Sequence, residues 1–256
     1  MIELKTYIVS KRSESYSEEV LNGFELLRNT ERFSLWVRLS DCCSVQALDF
    51  ISNNNFVRVF ESCYITSLDE AESRVEATRL LFSELAGSKY KSVIEIGRNL
   101  GCYNGLYFGA RKNTSLIFKD VLDYGCGPGT IIYSELYTQD HNLIAYDFVE
   151  ENRVYAGSLG LRVLSAIELN NLTEESLDLI VCCYVLHYMS VDQRTVNLLM
   201  ASLRVGGVLA ANFHKGTGVD WFLNCVNSIE DIRVVRENSE FGDLVFIVKG
   251  AKYAEF

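Results

Sequence analysis

Residues 121–130, VLDYGCGPGT, lead from an apolar strand candidate into Gly125, Gly127 and Gly129, set at alternate positions around Pro128, the only proline of the 256-residue chain. Glycine turns a backbone sharply off a strand and lets a ligand lie against main-chain atoms, while proline fixes its own φ and stiffens the turn. With the helical segment TIIYSELY behind it, such a loop suits a nucleotide-type cofactor at the edge of a doubly wound sheet.

The chain after residue 116 agrees with that setting. Strand candidates at 118–124, 142–147, 161–164, 177–183 and 207–213 alternate with helical or irregular stretches, and two late ones near 231–236 and 243–249 are joined by the short polar loop ENSEFGD. Alternation implies parallel strands with crossovers, and the short last connection implies an antiparallel hairpin. The expected fold class is α/β: a doubly wound, mostly parallel seven-stranded sheet with an antiparallel terminal hairpin, preceded by a smaller N-terminal α/β unit.

That first unit reads as β-α-β-α-β-α. Residues 2–9 alternate as a strand, and Ser17 caps a helix with Val20, Leu21, Phe24 and Leu27 on one face. RFSLWVRLS puts Phe33, Leu35, Val37 and Leu39 on one side of a strand, residues 44–53 read as a helix, and NFVRVFESCYIT reads as another strand. Ser67 and Glu70 have capping-box spacing and open a helix to about Leu85. The unit boundary falls near residue 87, dividing 1–87 from 88–256. Residues 88–100 then suggest a helix stopped by Gly101, and GCYNGLYFGARKN suggests a mobile connection, so that 88–115 forms a lid segment.

Charge narrows the partners. With 34 acidic and 24 basic side chains the net charge is −10, which disfavours phosphate backbones and anionic lipid. No apolar run approaches the roughly 20 residues that cross a bilayer, so a cytoplasmic protein with neither nucleic acid nor membrane as partner is expected. Of the eight cysteines, Cys42–Cys43 and Cys182–Cys183 are adjacent and the rest scattered. Without Cys-x-x-Cys or Cys/His ligand spacing they predict reduced, buried thiols and no metal.

A glycine loop can serve a dinucleotide or another adenosine cofactor. In the dinucleotide fingerprint the second and third glycines are three apart; here they are two apart, and Asp123 stands two residues before the first. A carboxylate there repels a pyrophosphate and suits an ammonium or sulfonium. At these residues the chain resembles the class I S-adenosylmethionine (SAM) dependent methyltransferases of small-molecule type, over about residues 110–250. Beside the acid and glycines, the resemblance rests on Asp147 ending NLIAYDF, on LDLIVCCYVLHYM with its Leu-His pair, and on LLMASLRVGGVLAANF, where Val205 replaces the family's usual proline. It implies SAM as cofactor. Asp123 and Gly125 would face the methionyl part, Gly127 and Gly129 the adenosine side, Asp147 the ribose and Phe148 one face of adenine. Ser165, Ala166 and Ile167 would flank the adenine, though the acidic pattern often seen there is missing. Cys126, Cys183 and Tyr184 complete the cofactor set.

The fourth-strand segment informs the acceptor. Enzymes of this kind that methylate exocyclic amines of bases carry Asn/Asp-Pro-Pro-Tyr there; this chain has Cys183-Tyr184-Val185-Leu186. A small-molecule acceptor, methylated on oxygen or nitrogen, is expected instead. Proton removal, where needed, falls to His187, Tyr188 or His214, beyond the carboxyl ends of the fourth and fifth strands; His187 also suits a structural role. His141 precedes the second strand and reads as a surface residue. Tyr103, Tyr107 and Phe108 could close over the cofactor, with Arg111 or Lys112 pairing its carboxylate, or could simply pack in the core. The N-terminal unit would shape the acceptor pocket or form a homodimer contact. Two alternatives remain open at this stage: a SAM-using enzyme that releases methylthioadenosine, and a non-catalytic regulatory subunit of the same fold.

Overall fold

The computed structural model describes residues 5–13, 23–39, 45–60, 62–86, 96–138, 140–189 and 191–250. The chain divides into two compact units, Met1–Glu84 and Leu85–Phe256.

The first unit contains β1 (Lys5–Lys11), β2 (Glu25–Asn29), β3 (Phe33–Leu39), α1 (Val45–Asn53), β4 (Phe56–Phe60), β5 (Cys63–Thr66) and α2 (Ala71–Glu84). Its sheet order is β2-β3-β1-β5-β4, with only the β1–β5 pair parallel. Phe33, Leu35 and Val37 share the buried side of β3, as their alternation requires. The simple β-α alternation expected here is corrected in three places. Phe24 and Leu27 are not helical: Glu25–Asn29 pairs with β3 as an edge strand, with Leu26 and Leu27 exposed, and the helix expected from Ser17 otherwise falls on 14–22, outside the described residues. NFVRVFESCYIT is not one strand, because β4 and β5 pair antiparallel. Helix α2 begins at Ala71 rather than behind Ser67, with the Glu70 carbonyl accepting from Arg74 N at 3.1 Å and the Glu70 carboxylate accepting from the Ser73 hydroxyl at 2.9 Å.

The second unit contains α3 (Ile96–Lys112), β6 (Asp120–Tyr124), a 3₁₀ turn (Thr130–Tyr133), α4 (Glu135–Thr138), β7 (Asn142–Tyr146), α5 (Glu150–Ser158), β8 (Arg162–Val163), α6 (Ala166–Asn170), β9 (Leu177–Cys182), α7 (Gln193–Ser202), β10 (Leu203–Phe213), α8 (Val219–Val226), β11 (Ile232–Ser239) and β12 (Gly242–Lys249). The sheet order is β11-β12-β10-β9-β6-β7-β8, and β12 alone runs against the others. All seven expected strands form. β10 starts earlier than the expected 207, at Leu203, because a bulge between Leu203 and Val208 carries the Gly206-Gly207 pair that reads as a turn.

Period-two alternation gives this sheet two apolar faces. Leu122, Ile180, Leu209 and Val245 belong to one core with α7 and α8; Val121, Leu179, Val208 and Phe246 belong to the other with α3. Central strand β9 is buried at every position, as expected for a parallel strand covered on both sides. Helix α3 corrects another expectation: it is not stopped by Gly101 but runs through Gly101, Gly105 and Gly109. A Cβ at Gly101 would come within 2.7 Å of Phe241 Cζ, and one at Gly109 within 2.2 Å of Phe246 Cζ. The glycines therefore bring the helix onto the β11–β12 hairpin. What reads as a mobile connection is a packed helix; residues 87–95 lie outside the described residues.

Chain order reverses between β6 and β9, since β7 lies on one side of β6 and β9 on the other. In open α/β sheets the crevice outside the carboxyl ends at such a point is where ligands collect.

Candidate active site

The glycine loop leaves β6 at that crevice. Gly125, Gly127 and Gly129 have φ of +80°, +52° and +78°, a region that side chains with a Cβ adopt only under strain. Gly125 N and Cys126 N donate to Tyr146 O at 2.7 and 3.0 Å, and Gly129 N donates to Cys126 O at 3.0 Å, closing a turn around Gly127 and Pro128. A Cβ on Gly125 would sit 2.3 Å from Val185 Cγ2, so the loop abuts the segment after β9.

Two buried carboxylates flank the loop. Asp147, after β7, accepts from Gly127 N at 2.9 Å through Oδ2, and from Val149 N at 2.8 Å and Asn152 Nδ2 at 3.2 Å through Oδ1. It thus ties the glycine loop to the start of α5, and Oδ2 retains capacity for one more donor. Burial raises its pKa, opposed by the amides of Val149, Asn152 and Gly127 and by Arg153. Asp123, with no exposed surface, accepts from the Tyr103 hydroxyl at 3.2 Å on Oδ1 and 3.1 Å on Oδ2. Burial pushes Asp123 up to about 8; the Tyr103 bond opposes the rise and Asp147 adds to it. A carboxyl held near neutrality in an apolar wall gains most from a cation brought beside it. Burial also pushes the Cys126, Cys182 and Cys183 thiols up, which keeps them protonated and unreactive.

Beyond the ends of β9 and β10 lies an aromatic cluster. Tyr184 has φ of +56°, and its N–H donates to Asn212 Oδ1 at 2.6 Å, while Asn212 Nδ2 donates to Phe241 O at 3.2 Å. Ring centroids lie 5.9 Å apart for Tyr184–His187, 6.3 Å for Tyr184–His214, 6.5 Å for His187–His214 and 3.8 Å for His187–Tyr188. Burial, aided by His214, pushes His187 down to about 3, leaving it neutral and a weak proton acceptor. Burial, Arg98 and Lys215 also lower His214. Arg98 Nη2 lies 3.5 Å from His214 Nδ1; a guanidinium only donates, so this contact assigns the imidazole proton to Nε2. Two buried polar atoms, Tyr184 Oη and His187 Nδ1, have no hydrogen-bond partner. Burial raises Tyr184 to about 12, with nearby Arg98 offsetting part of the rise.

The sequence-derived site residues thus gather at one edge. Asp123, Gly125, Cys126, Gly127 and Gly129 follow β6, Asp147 and Phe148 follow β7, Ala166 and Ile167 open α6 after β8, and Cys183 and Tyr184 follow β9. Ser165 caps α6 through a capping box with Glu168. His141 is not the plain surface residue expected: it is half-buried, with Nδ1 2.9 Å from Phe118 O and its ring edge-on to Tyr107. Arg111 lies over the Tyr107 ring beside that group, at the amino ends of the strands, so neither it nor the neighbouring Lys112 reaches the glycine loop. Arg98, by contrast, is a basic side chain at the carboxyl edge that sequence reasoning missed. Asn212 was missed as well; its signal was a lone amide in the apolar run VLAANF. Among the described residues no cluster of His, Cys, Asp or Glu could hold a metal, and no helix is long and apolar enough to cross a membrane.

Comparison with known proteins agrees with this geometry. Residues 122–211 match a family model described as a methyltransferase domain. No curated protein sequence matches. Among solved structures, the plantazolicin methyltransferase BpumL, in complex with S-adenosylhomocysteine and a monoazolic desmethyl-plantazolicin analogue, is 14% identical with a TM-score of 0.51, covering 70% of this chain and 96% of its own. A SAM-dependent methyltransferase from Aquifex aeolicus is 19% identical with a TM-score of 0.48, covering 62% and 95%. The donor set fits the same cofactor: two buried acids for cationic and diol groups, and a loop without Cβ atoms against which an adenosyl group can lie. By sheet order, loop and matched domain, the second unit has the class I fold and carries, over residues 122–211, a SAM-dependent methyltransferase domain.

Proposed function

We propose that this enzyme methylates an oxygen or nitrogen atom of a small metabolite. The supporting observation is the ring-lined cluster of Tyr184, His187, Tyr188 and His214, which adjoins the glycine loop through the Gly125–Val185 contact. Bound SAM supplies a methyl group already activated by its sulfonium. Asp123 meets the cationic methionyl end, the glycine loop lies along the adenosyl group, and Asp147 offers Oδ2 to the ribose. Phe148, Ala166 and Ile167 border the adenine. Ile167, 74% exposed on the first turn of α6, presents apolar surface that a flat base would cover. Cys126, Cys183 and Tyr184 wall the methionyl end.

The chain's own part in the chemical step is chiefly alignment. His187 is too weakly basic, and His214 has its Nδ1 lone pair turned toward Arg98, so its Nε2–H serves as a hydrogen-bond donor to the acceptor. Acceptors that present a lone pair or an already deprotonated atom are therefore favoured, with proximity supplying the rate. The test is incubation with methyl-labelled SAM and fractionated cell extract. Label should enter the low-molecular-weight fraction, with S-adenosylhomocysteine as co-product; label confined to protein or nucleic acid, or release of methylthioadenosine, would overturn the reading.

A further inference from the structure

The acceptor's chemical class can be narrowed, on the footing of the small-molecule reading above. Arg98, in the first turn of α3, and Lys215, just beyond β10, are both exposed, and among the described residues neither has a carboxylate partner. An acid near Lys215, Asp243, has its Oδ2 3.2 Å from where a Cβ on Gly216 would stand, but that oxygen is already paired with Arg236 at 2.6 Å. Two uncompensated cations acting on one imidazole, that of His214, are conspicuous in a chain of net charge −10. Beside His214 lies a buried polar atom without a partner, His187 Nδ1, on a residue only 7% exposed, and next to it Tyr184 Oη, which has Arg98 near it. A buried polar atom without a partner signals a ligand group that completes it. The remaining wall is aromatic, which suits a flat ring.

We infer that Arg98, Lys215 and the Nε2–H of His214 form an anion-binding end of the acceptor pocket, and that the acceptor is an aromatic small molecule bearing a carboxylate. The carboxylate serves as a handle that orients a separate nucleophilic atom on the same molecule, because an ion-paired carboxylate is itself a blunted nucleophile. A carboxylate at Arg98 could come from the acceptor or from the methionyl end of the cofactor. Its contact with His214, at the end of β10, turns Arg98 toward the acceptor, while Tyr184 beside it borders the methionyl end, so Arg98→Gln is the variant that separates the two sources. Arginine suits this task through its fixed fork of donors.

The test uses the full chain saturated with S-adenosylhomocysteine and titrated calorimetrically with benzoate, para-hydroxybenzoate and phenylpropionate, each against its neutral amide. The acids should bind at least tenfold more tightly than the amides. Arg98→Gln should erase that difference and Lys215→Gln reduce it, with affinity for S-adenosylhomocysteine unchanged in both. Acid and amide binding alike, or neither binding, would overturn the inference while leaving the methyltransferase reading intact. Weakened S-adenosylhomocysteine binding in Arg98→Gln would also overturn it, by assigning Arg98 to the cofactor's carboxylate. A wild-type chain that fails to bind S-adenosylhomocysteine would overturn the underlying reading and the inference with it.

Discussion

Replacing Asp123 by asparagine should make the protein more stable and a poorer methyltransferase. Burial moves this carboxyl from its ordinary 3.8 to about 8, a shift of about four pH units, worth at most about 5–6 kcal/mol at roughly 1.4 kcal/mol per unit. The folded pKa is raised, so the unfolded chain releases the proton first. Below pH ~4 the carboxyl is neutral in both states and costs nothing; from pH ~4 to ~8 stability falls as pH rises, and above ~8 the loss is complete. Asparagine cannot ionise, and its oxygen still accepts from Tyr103. Its NH₂ replaces the O–H of the neutral acid as a donor, so that exchange is close to even. Allowing for relaxation around the charge, we expect the variant to exceed wild type by about 2–4 kcal/mol at pH 7.5, or roughly 5–15 °C in Tm. Urea denaturation between pH 4.5 and 8.5, followed by Trp221 fluorescence in a Trp36→Phe background, would read this directly. The stability gap should be near zero at pH 4.5 and widen with pH, while affinity for SAM falls at least tenfold. A gap independent of pH, or an asparagine variant less stable than wild type at pH 7.5, would refute the argument.

Three other perturbations follow from the geometry. Gly125→Ala places a methyl group 2.3 Å from Val185 Cγ2 at φ +80°, so it should lower stability by about 2–4 kcal/mol and abolish S-adenosylhomocysteine binding, with partial recovery of thermal stability in a Gly125→Ala/Val185→Ala double variant. Asp147→Ala removes the acceptor shared by Gly127 N, Val149 N and Asn152; hydrogen exchange of the Gly127 and Val149 amides should rise by at least tenfold, with about 2–3 kcal/mol lost in denaturation. Asp178 has its pKa lowered even though burial acts to raise it, because the amides of Asp120 and Lys119 and the Arg204 guanidinium prevail. Its contribution is present above the ordinary carboxylate pKa and lost as pH falls through the lowered one, so Arg204→Gln should cost about 1 kcal/mol at pH 7, screened by solvent, and progressively less as pH falls below the ordinary carboxylate range, as urea titrations across that range would show.

The second unit was legible because each of its layers repeats a short rule. Strands β6, β7, β9, β10 and β12 carry apolar runs bounded by turn residues, and an acid before alternating glycines can be read without coordinates. The first unit misled because the spacing of Val20, Leu21, Phe24 and Leu27 satisfies a helical period, whereas Glu25–Asn29 is held as an edge strand by ladder bonds to β3, and backbone pairing leaves no mark on composition. Glycine carried two opposite meanings. At Gly125 it supplies a positive φ; at Gly101 and Gly109 it removes a Cβ so that a helix can touch an aromatic ring. Only the neighbouring chain, more than a hundred residues away, distinguishes the cases. Arg98 was missed for the same reason, since its significance lies in a contact with His214 across 116 positions.

The glycines of α3 also bear on how the protein comes to be made. Each exposes backbone and costs a helix roughly 1 kcal/mol relative to alanine, so a segment with Gly97, Gly101, Gly105 and Gly109 holds little helical structure unaided. It gains its shape by resting on Phe241, Leu244 and Phe246 of the terminal hairpin, which a ribosome delivers after the rest of the sheet. Tyr103 and Arg98 ride on that helix, so a growing chain can complete its parallel strands and still have no finished pocket. The pocket is therefore finished only when β11 and β12 dock on α3.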